Sequence, residues 1–327
     1  MMLLPAFRRE SFCRKAVKAL IAAASACLIL STALPAQAQQ ATAVLFQNVR
    51  IFDGKSDALS AASSVLVRDN KIEKISSASI PANGAELIDG GGRVLMPGLI
   101  DAHWHAMLAR SNPIEAITGD VGYLNLVAAA EATATLMRGF TTIRDLGGPA
   151  FSLKRAIDEG LAVGPRIYPS GAMITATGGH ADFRPLSELP RRGGELSRGE
   201  EIGGSAISDN PDEVRLRTRE QLAQGASQIK LVGGGGVASP LSPLDMVTFT
   251  EPELRAAVEI ADNWGTYVTV HAYTPASIRL AIAAGAKCIE HGHLMDEATA
   301  KLMADKGVWL STQPFVEEES PPLTGQQ

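Results

Sequence analysis

The sequence predicts an α/β protein: a (β/α)8 barrel of the TIM type, with seven strands present, preceded by part of a small β-sandwich. Three observations carry this. After Pro97, short apolar strands alternate with helical stretches. Six of those helical stretches run into a glycine, at Gly139, Gly160, Gly225, Gly265, Gly285 and Gly307, the residue expected just past a helix C-terminus. And the six histidines, His103, His105, His180, His271, His291 and His293, fall at or just after the expected C-terminal ends of strands, the face of such a barrel where active sites are built.

The chain opens on a basic segment with Arg8, Arg9, Arg14, Lys15 and Lys18, followed by an apolar run over 19–34 and the small-residue pattern Ala36-Gln37-Ala38. This reads as a secretory signal peptide over 1–38, so the mature protein is expected to be exported, to the periplasm or beyond, with no membrane attachment after cleavage. The run is shorter than the ~20 residues of a membrane-spanning helix. Cleavage before Cys27 as a lipoprotein is the other reading, though Ala24-Ser25-Ala26-Cys27 lacks the usual leucine. Cys13 and Cys27 leave with the leader, so Cys288 remains alone and no internal disulfide can form. The formal charge of −5 becomes −9 once the leader, with five basic residues and one acidic, is removed. So acidic a chain is not expected to bind nucleic acid.

Residues 39–96 read as short β segments, 43–52, 64–68, 71–76 and 86–96, punctuated by Asp53-Gly54 and Asp69-Asn70. Their alternation and turns argue a small antiparallel sheet, the N-terminal part of the sandwich. From Pro97 to Phe315 the expected strands are 98–103, 141–145, 166–172, 226–231, 267–271, 287–290 and 308–312. The expected helices are 123–138, 151–159, 211–224, 251–264, 275–284 and 296–305. The stretch 182–209, rich in Gly, Ser, Glu and Arg, reads as a mobile loop over the site, and 316–327 as a polar tail.

The chemistry begins at Pro97-Gly98-Leu99-Ile100-Asp101-Ala102-His103-Trp104-His105. Residues i and i+2 of a strand share a face, so His103 and His105 can grip one cation together. His271 closes Tyr267-Val268-Thr269-Val270 and His291 closes Cys288-Ile289-Glu290; with the first pair they make a metal-ligand set. Lys230 ends the apolar Gln228-Ile229-Lys230, and a buried lysine must find an acid or lose its charge. Beside two cations its neutral amine can capture carbon dioxide, giving an anionic carbamate bridge. Nitrogen ligands of this kind suit zinc, and if two such divalent ions are present, carbon dioxide is expected on Lys230. His293 reads as a residue behind the ligands or on the surface, and Cys288 as buried filler. The run Gly233 to Gly236 resembles a phosphate cradle, but no GK[ST] follows.

These residues resemble the amidohydrolase superfamily, in its binuclear subgroup with imidazolonepropionase-like proteins, Xaa-Pro dipeptidases of this fold and ochratoxin-type amidases. The likeness runs from Ala43 to Phe315 and rests on PGLIDAHWH, TTIRDLGG, TATGGHAD, IKLVGGGG, VHAYT and IEHGH. It implies that His103 and His105 are first-strand ligands, Lys230 the carbamylated lysine, and His271 and His291 the ligands closing strands five and six. It further implies that His180 polarises the substrate carbonyl; on residues alone His180 reads equally as a mobile loop histidine. Tyr273 can hydrogen-bond a substrate carboxylate or simply pack.

The resemblance also asks for a strand-eight aspartate that moves a proton, which does not occur before Gln327; Asp145 reads as structural and Asp296 as the start of a helix. The expected activity is hydrolysis of an amide in a small molecule, an Xaa-Pro dipeptide or N-acyl amino acid, by a metal-bridging hydroxide. Cyclic-amide opening or deamination on the same scaffold is the near alternative. A truncated, inactive fragment is the alternative of another class. Sequence leaves a homo-oligomer open.

Overall fold

The computed structural model describes residues 43–111, 113–190, 194–239 and 241–313. The expected leader and the expected tail lie outside the described residues. The chain divides between Pro97 and Gly98 into two compact units.

The first unit holds β1 (Ala43–Ile51), β2 (Ser63–Arg68), β3 (Lys71–Ser76), β4 (Glu86–Asp89) and β5 (Val94–Leu95). The sheet order is β3-β2-β1-β4, and β5 also pairs with β1. β1–β2 and β2–β3 are antiparallel, as the turn residues led one to expect, but β4 and β5 run parallel to β1. The sheet is therefore mixed rather than antiparallel. Asp69 takes a left-handed φ of 54° in the β2–β3 turn, a conformation that short polar side chains tolerate. Leu45, Leu66 and Ile80 form the buried apolar centre of this unit.

The second unit begins with β6 (Leu99–Trp104), β7 (Phe140–Asp145) and β8 (Arg166–Pro169), a parallel sheet in that order. A six-stranded parallel sheet follows. Its members are β9 (Met173–Thr175), β10 (Ser205–Ile207), β11 (Ile229–Val232), β12 (Val268–Ala272), β13 (Cys288–His291) and β14 (Trp309–Ser311), in the order β10-β9-β11-β12-β13-β14. Two differences from the sequence reading stand out. The expected strand 166–172 is broken at Gly171, φ 75°, into β8 and β9, which belong to different sheets. The expected loop 182–209 is partly built: it carries a short helix, Arg198–Glu201, and β10, paired in parallel with β9. Among the described residues the two sheets do not close into one ring. The buried Gln228 side chain ties them together, donating Nε2 to the carbonyls of Asp145 and Tyr168, both at 3.0 Å.

Helices fall where periodicity places them, at Val121–Met137, Phe151–Asp158, Pro211–Ala223, Glu251–Asn263, Pro275–Ala284 and Glu297–Lys306. Their starts are chemically marked. Asn210 caps the amides of Asp212 and Glu213, Thr250 and Glu253 form a capping box, and Asp296 caps Thr299. All six expected end glycines have positive φ.

Alternation sorts the strand side chains into two faces. Ile229, Leu231, Val268, Val270 and Ile289 pack against Leu254, Ala257, Ile278 and Ala281 of the helices. Lys230, Thr269, His271 and Glu290 occupy the intervening positions and are buried on the other face. That second face carries the chemistry. Among the described residues no helix is long and apolar enough to cross a membrane.

Candidate metal centre

Six aromatic side chains gather at the C-terminal ends of the strands. Ring centroids are 5.4 Å apart for His103 and His105, 4.7 Å for His103 and His291, 4.3 Å for His271 and His291, and 4.5 Å for His180 and His271. Tyr273 stacks on His291 at 4.9 Å with rings 16° apart. The histidines singled out from sequence thus come together, although they arise from β6, β12, β13 and the turn after β9. His293 lies at the margin, its Nε2 2.8 Å from the Gln313 carbonyl.

Backbone geometry brings two of these rings in. Among the described residues, five non-glycine residues have positive φ; three are Asn48, Asp69 and Asn83 of the first unit, and the others are Ala181 and His291. His291, at φ 73°, ends β13 in a conformation disfavoured for a residue with a Cβ. Ala181, at φ 74°, follows His180 and donates its amide to Ser239 Oγ at 2.8 Å. The His180 turn is clamped rather than loose. Buried Asp182 accepts from the Gly178 amide and from Arg184, and Thr177 bonds Asp209 through both its amide and its hydroxyl. These bonds hold the backbone on either side of His180.

Three rings have their tautomer set by partners that can only accept. His105 donates Nδ1–H to the Gly147 carbonyl at 3.2 Å and His271 donates Nε2–H to the Gly235 carbonyl at 2.8 Å. His103 donates Nδ1–H to the Glu290 carboxylate at 2.9 Å. Each ring keeps one lone pair, on the nitrogen not so used. Burial, with the positive charge of Lys230, pushes His103 and His180 down to about 4. Burial pushes His105 to about 3 and His291 to about 2, and His271 well below its ordinary value. All five are neutral near pH 7, the state in which imidazole ligates.

Lys230, on β11, is 2 % exposed. Burial lowers its pKa to about 8, against the pull of Glu290. Asp145 is buried at the end of β7 and accepts from the Ala106 amide at 2.6 Å; it braces the turn carrying His105. Asp296 is exposed, capping its helix and paired with Arg279. Neither aspartate joins the cluster.

The glycine run after β11 allows close backbone approach. A Cβ on Gly235 would lie 1.7 Å from the Pro243 carbonyl oxygen, and one on Gly236 would lie 2.4 Å from the His180 ring. The run lets backbone pass close to the histidines.

Does this set fit a metal? Among the described residues no three His, Cys, Asp or Glu side chains are drawn tightly enough around one point to hold an ion. The donor chemistry nonetheless fits: neutral rings with one free lone pair each, a buried amine on Lys230, and buried Nδ1 atoms on His180 and His291 that have no hydrogen-bond partner. A separate void lies away from this cluster. A cavity of about 600 Å³ is walled by Arg144, Tyr267, Lys287, Cys288 and Trp309, toward the N-terminal ends of β12, β13 and β14.

Residues 94–324 match the amidohydrolase family model. Ochratoxinase of Aspergillus niger is 33% identical over 244 residues, 68% of this chain and 48% of that protein. The chain thus spans about half the length of the curated relatives it matches. Among solved structures, a prolidase complexed with N-methylphosphonate-L-proline is 36% identical with a TM-score of 0.75, over 83% of this chain and 66% of that one. A Xaa-Pro dipeptidase with methionine bound in its active site is 31% identical with a TM-score of 0.70, over 82% and 66%. Strand-end histidines, the buried lysine and the match over 94–324 agree: this chain belongs to the amidohydrolase family.

Proposed function

We propose that the cluster is the metal centre of a hydrolase that cleaves a C–N bond in a small substrate, an Xaa-Pro dipeptide or an N-acyl amino acid. The two parallel sheets are, on this reading, arcs of a (β/α)8 barrel, and the protein is exported. The observation that carries the proposal is Lys230, a buried amine among five neutral histidines. The substrate class is supported by the prolidase and dipeptidase relatives.

His103, His105, His271 and His291 would hold two divalent ions, zinc by the nitrogen donors, together with a carbamate on Lys230. When bound, the ions polarise an amide carbonyl and make water acidic enough to attack it near neutral pH. With a pKa of about 8, Lys230 is partly neutral at pH 7; its nitrogen adds to carbon dioxide, forming the N–C bond and releasing one proton. His180, neutral and held by the Asp182 clamp, donates N–H to the oxygen that gains charge as the carbonyl is attacked. Tyr273, packed on His291, narrows the site. Among the described residues none takes the role of proton carrier to the leaving nitrogen.

The test is hydrolysis of a panel of Xaa-Pro dipeptides and N-acyl amino acids by the zinc-loaded chain. Cleavage that chelation abolishes and zinc restores supports the proposal. Deamination of a purine or pyrimidine with one ion per chain would replace it with the deaminase reading.

A further inference from the structure

Glu290 is fully buried, and its two oxygens collect donors from three other strands. Oε2 accepts Nδ1–H of His103, from β6, at 2.9 Å; Oε1 accepts Nη2–H of Arg144, from β7, and the hydroxyl of Thr269, from β12. Arg144 also donates Nε–H to the carbonyl of Ala102 at 2.7 Å, fixing the residue before His103. A guanidinium only donates, so the carboxylate presents acceptors on both sides.

We propose that Glu290 is the positioning residue of the metal centre: its carboxylate holds His103 in the Nδ1–H tautomer and so presents the Nε2 lone pair to a divalent cation. This rests on the metal reading of the site. A carboxylate behind a ligating imidazole fixes ring orientation and raises ligand basicity. Thr269 acts on His103 through Glu290, and Arg144 through both Glu290 and the Ala102 carbonyl.

Replacing the carboxylate by an amide sharpens the claim. Glu290→Gln keeps the shape but offers one acceptor and one NH2. Arg144 and Thr269 take the acceptor, so the NH2 faces His103 Nδ1 and selects the opposite tautomer, with the proton on Nε2. A nearly isosteric change therefore removes the lone pair meant for the metal.

The experiment is a two-bond proton–nitrogen correlation spectrum of the metal-free full chain with 15N-labelled histidine, near neutral pH, with His103 assigned by loss of its signals in His103→Gln. The wild type should show the proton on Nδ1, and Glu290→Gln should move it to Nε2. Zinc affinity of the same samples, by chelator competition, should fall about 10–100-fold in Glu290→Gln. A wild-type proton on Nε2, or a tautomer unmoved by Glu290→Gln, overturns the proposal. If Glu290→Gln does not fold, the wild-type spectrum decides alone. A correct tautomer in a chain that binds no zinc upholds the role of Glu290 toward His103 and defeats the metal reading.

Discussion

His271 donates its Nε2–H to the Gly235 carbonyl at 2.8 Å, and Gly235 can place that carbonyl there only because it has no side chain, since a Cβ would meet the Pro243 oxygen at 1.7 Å. The lone pair of His271 is thus fixed on Nδ1 by a backbone group in the loop that follows the neighbouring strand, β11. Gly235→Ala should displace the carbonyl, release the tautomer and weaken zinc binding about 10–100-fold. Chelator competition measures this; unchanged affinity in a folded variant contradicts it.

Lys230 bears a cost in the metal-free chain, since burial disfavours its charge. Lys230→Met fills the same volume without charge, and should stabilise the metal-free chain by about 1–3 kcal/mol in urea denaturation. The same substitution should lower the number of metals bound. A destabilised apo variant would show that the amine has a structural partner.

Both faces of the strands were legible by alternation, yet only part of what alternation offered could be used. Lys230 stood out between Ile229 and Leu231 because a lysine is rare in such a place. Glu290 sat one position before His291 and read only as part of the strand that His291 closes. The signal for it was present: Cys288 and Glu290 alternate with Ile289, which packs on the helices, so both must face inward. The glycines Gly235 and Gly236 were opaque, because their reasons are Pro243 and the His180 ring, contacts that no local pattern reveals. Likewise the break at Gly171 depends on a distant partner. A Cβ there would lie 2.3 Å from Gln221 Oε1, which also accepts the Ala172 amide.

The pH response of the metal-free chain follows from five histidines whose folded pKa values lie below the ordinary 6.5. As pH falls below 6.5, the unfolded chain takes up protons that the folded chain does not. Stability present above that pH is therefore lost on acidification. From pH 7 to pH 5 the loss is about 2 kcal/mol for each of His103, His105, His180 and His291, and His271 acts in the same direction. Asp145, pushed up to about 7 by burial, takes up its proton in the folded state and offsets about one histidine's share. The urea midpoint of the metal-stripped chain should fall steeply over this range; a flat midpoint contradicts the neutral cluster.

Asp182 and Arg184 form a buried ion pair, at 2.7 and 2.8 Å, that holds the His180 turn. Asp182→Ala leaves the buried guanidinium without a carboxylate, keeping the Thr177 hydroxyl at 3.2 Å, at a cost of about 3–5 kcal/mol. It should also lower kcat more than it alters KM, because His180 acts on charge that develops during reaction. A fall in KM alone, or a cost near zero, would detach this clamp from His180.

The proposed role of Lys230 is to carry a carbamate in the metal centre, and the most direct measurement is native mass spectrometry of the zinc-loaded chain in bicarbonate, beside Lys230→Met. The account predicts two zinc ions and the added mass of one carbon dioxide in the wild type, with the carbon dioxide and at least one ion missing from the variant. The same metal count in both proteins, with no carbon dioxide in either, would contradict it.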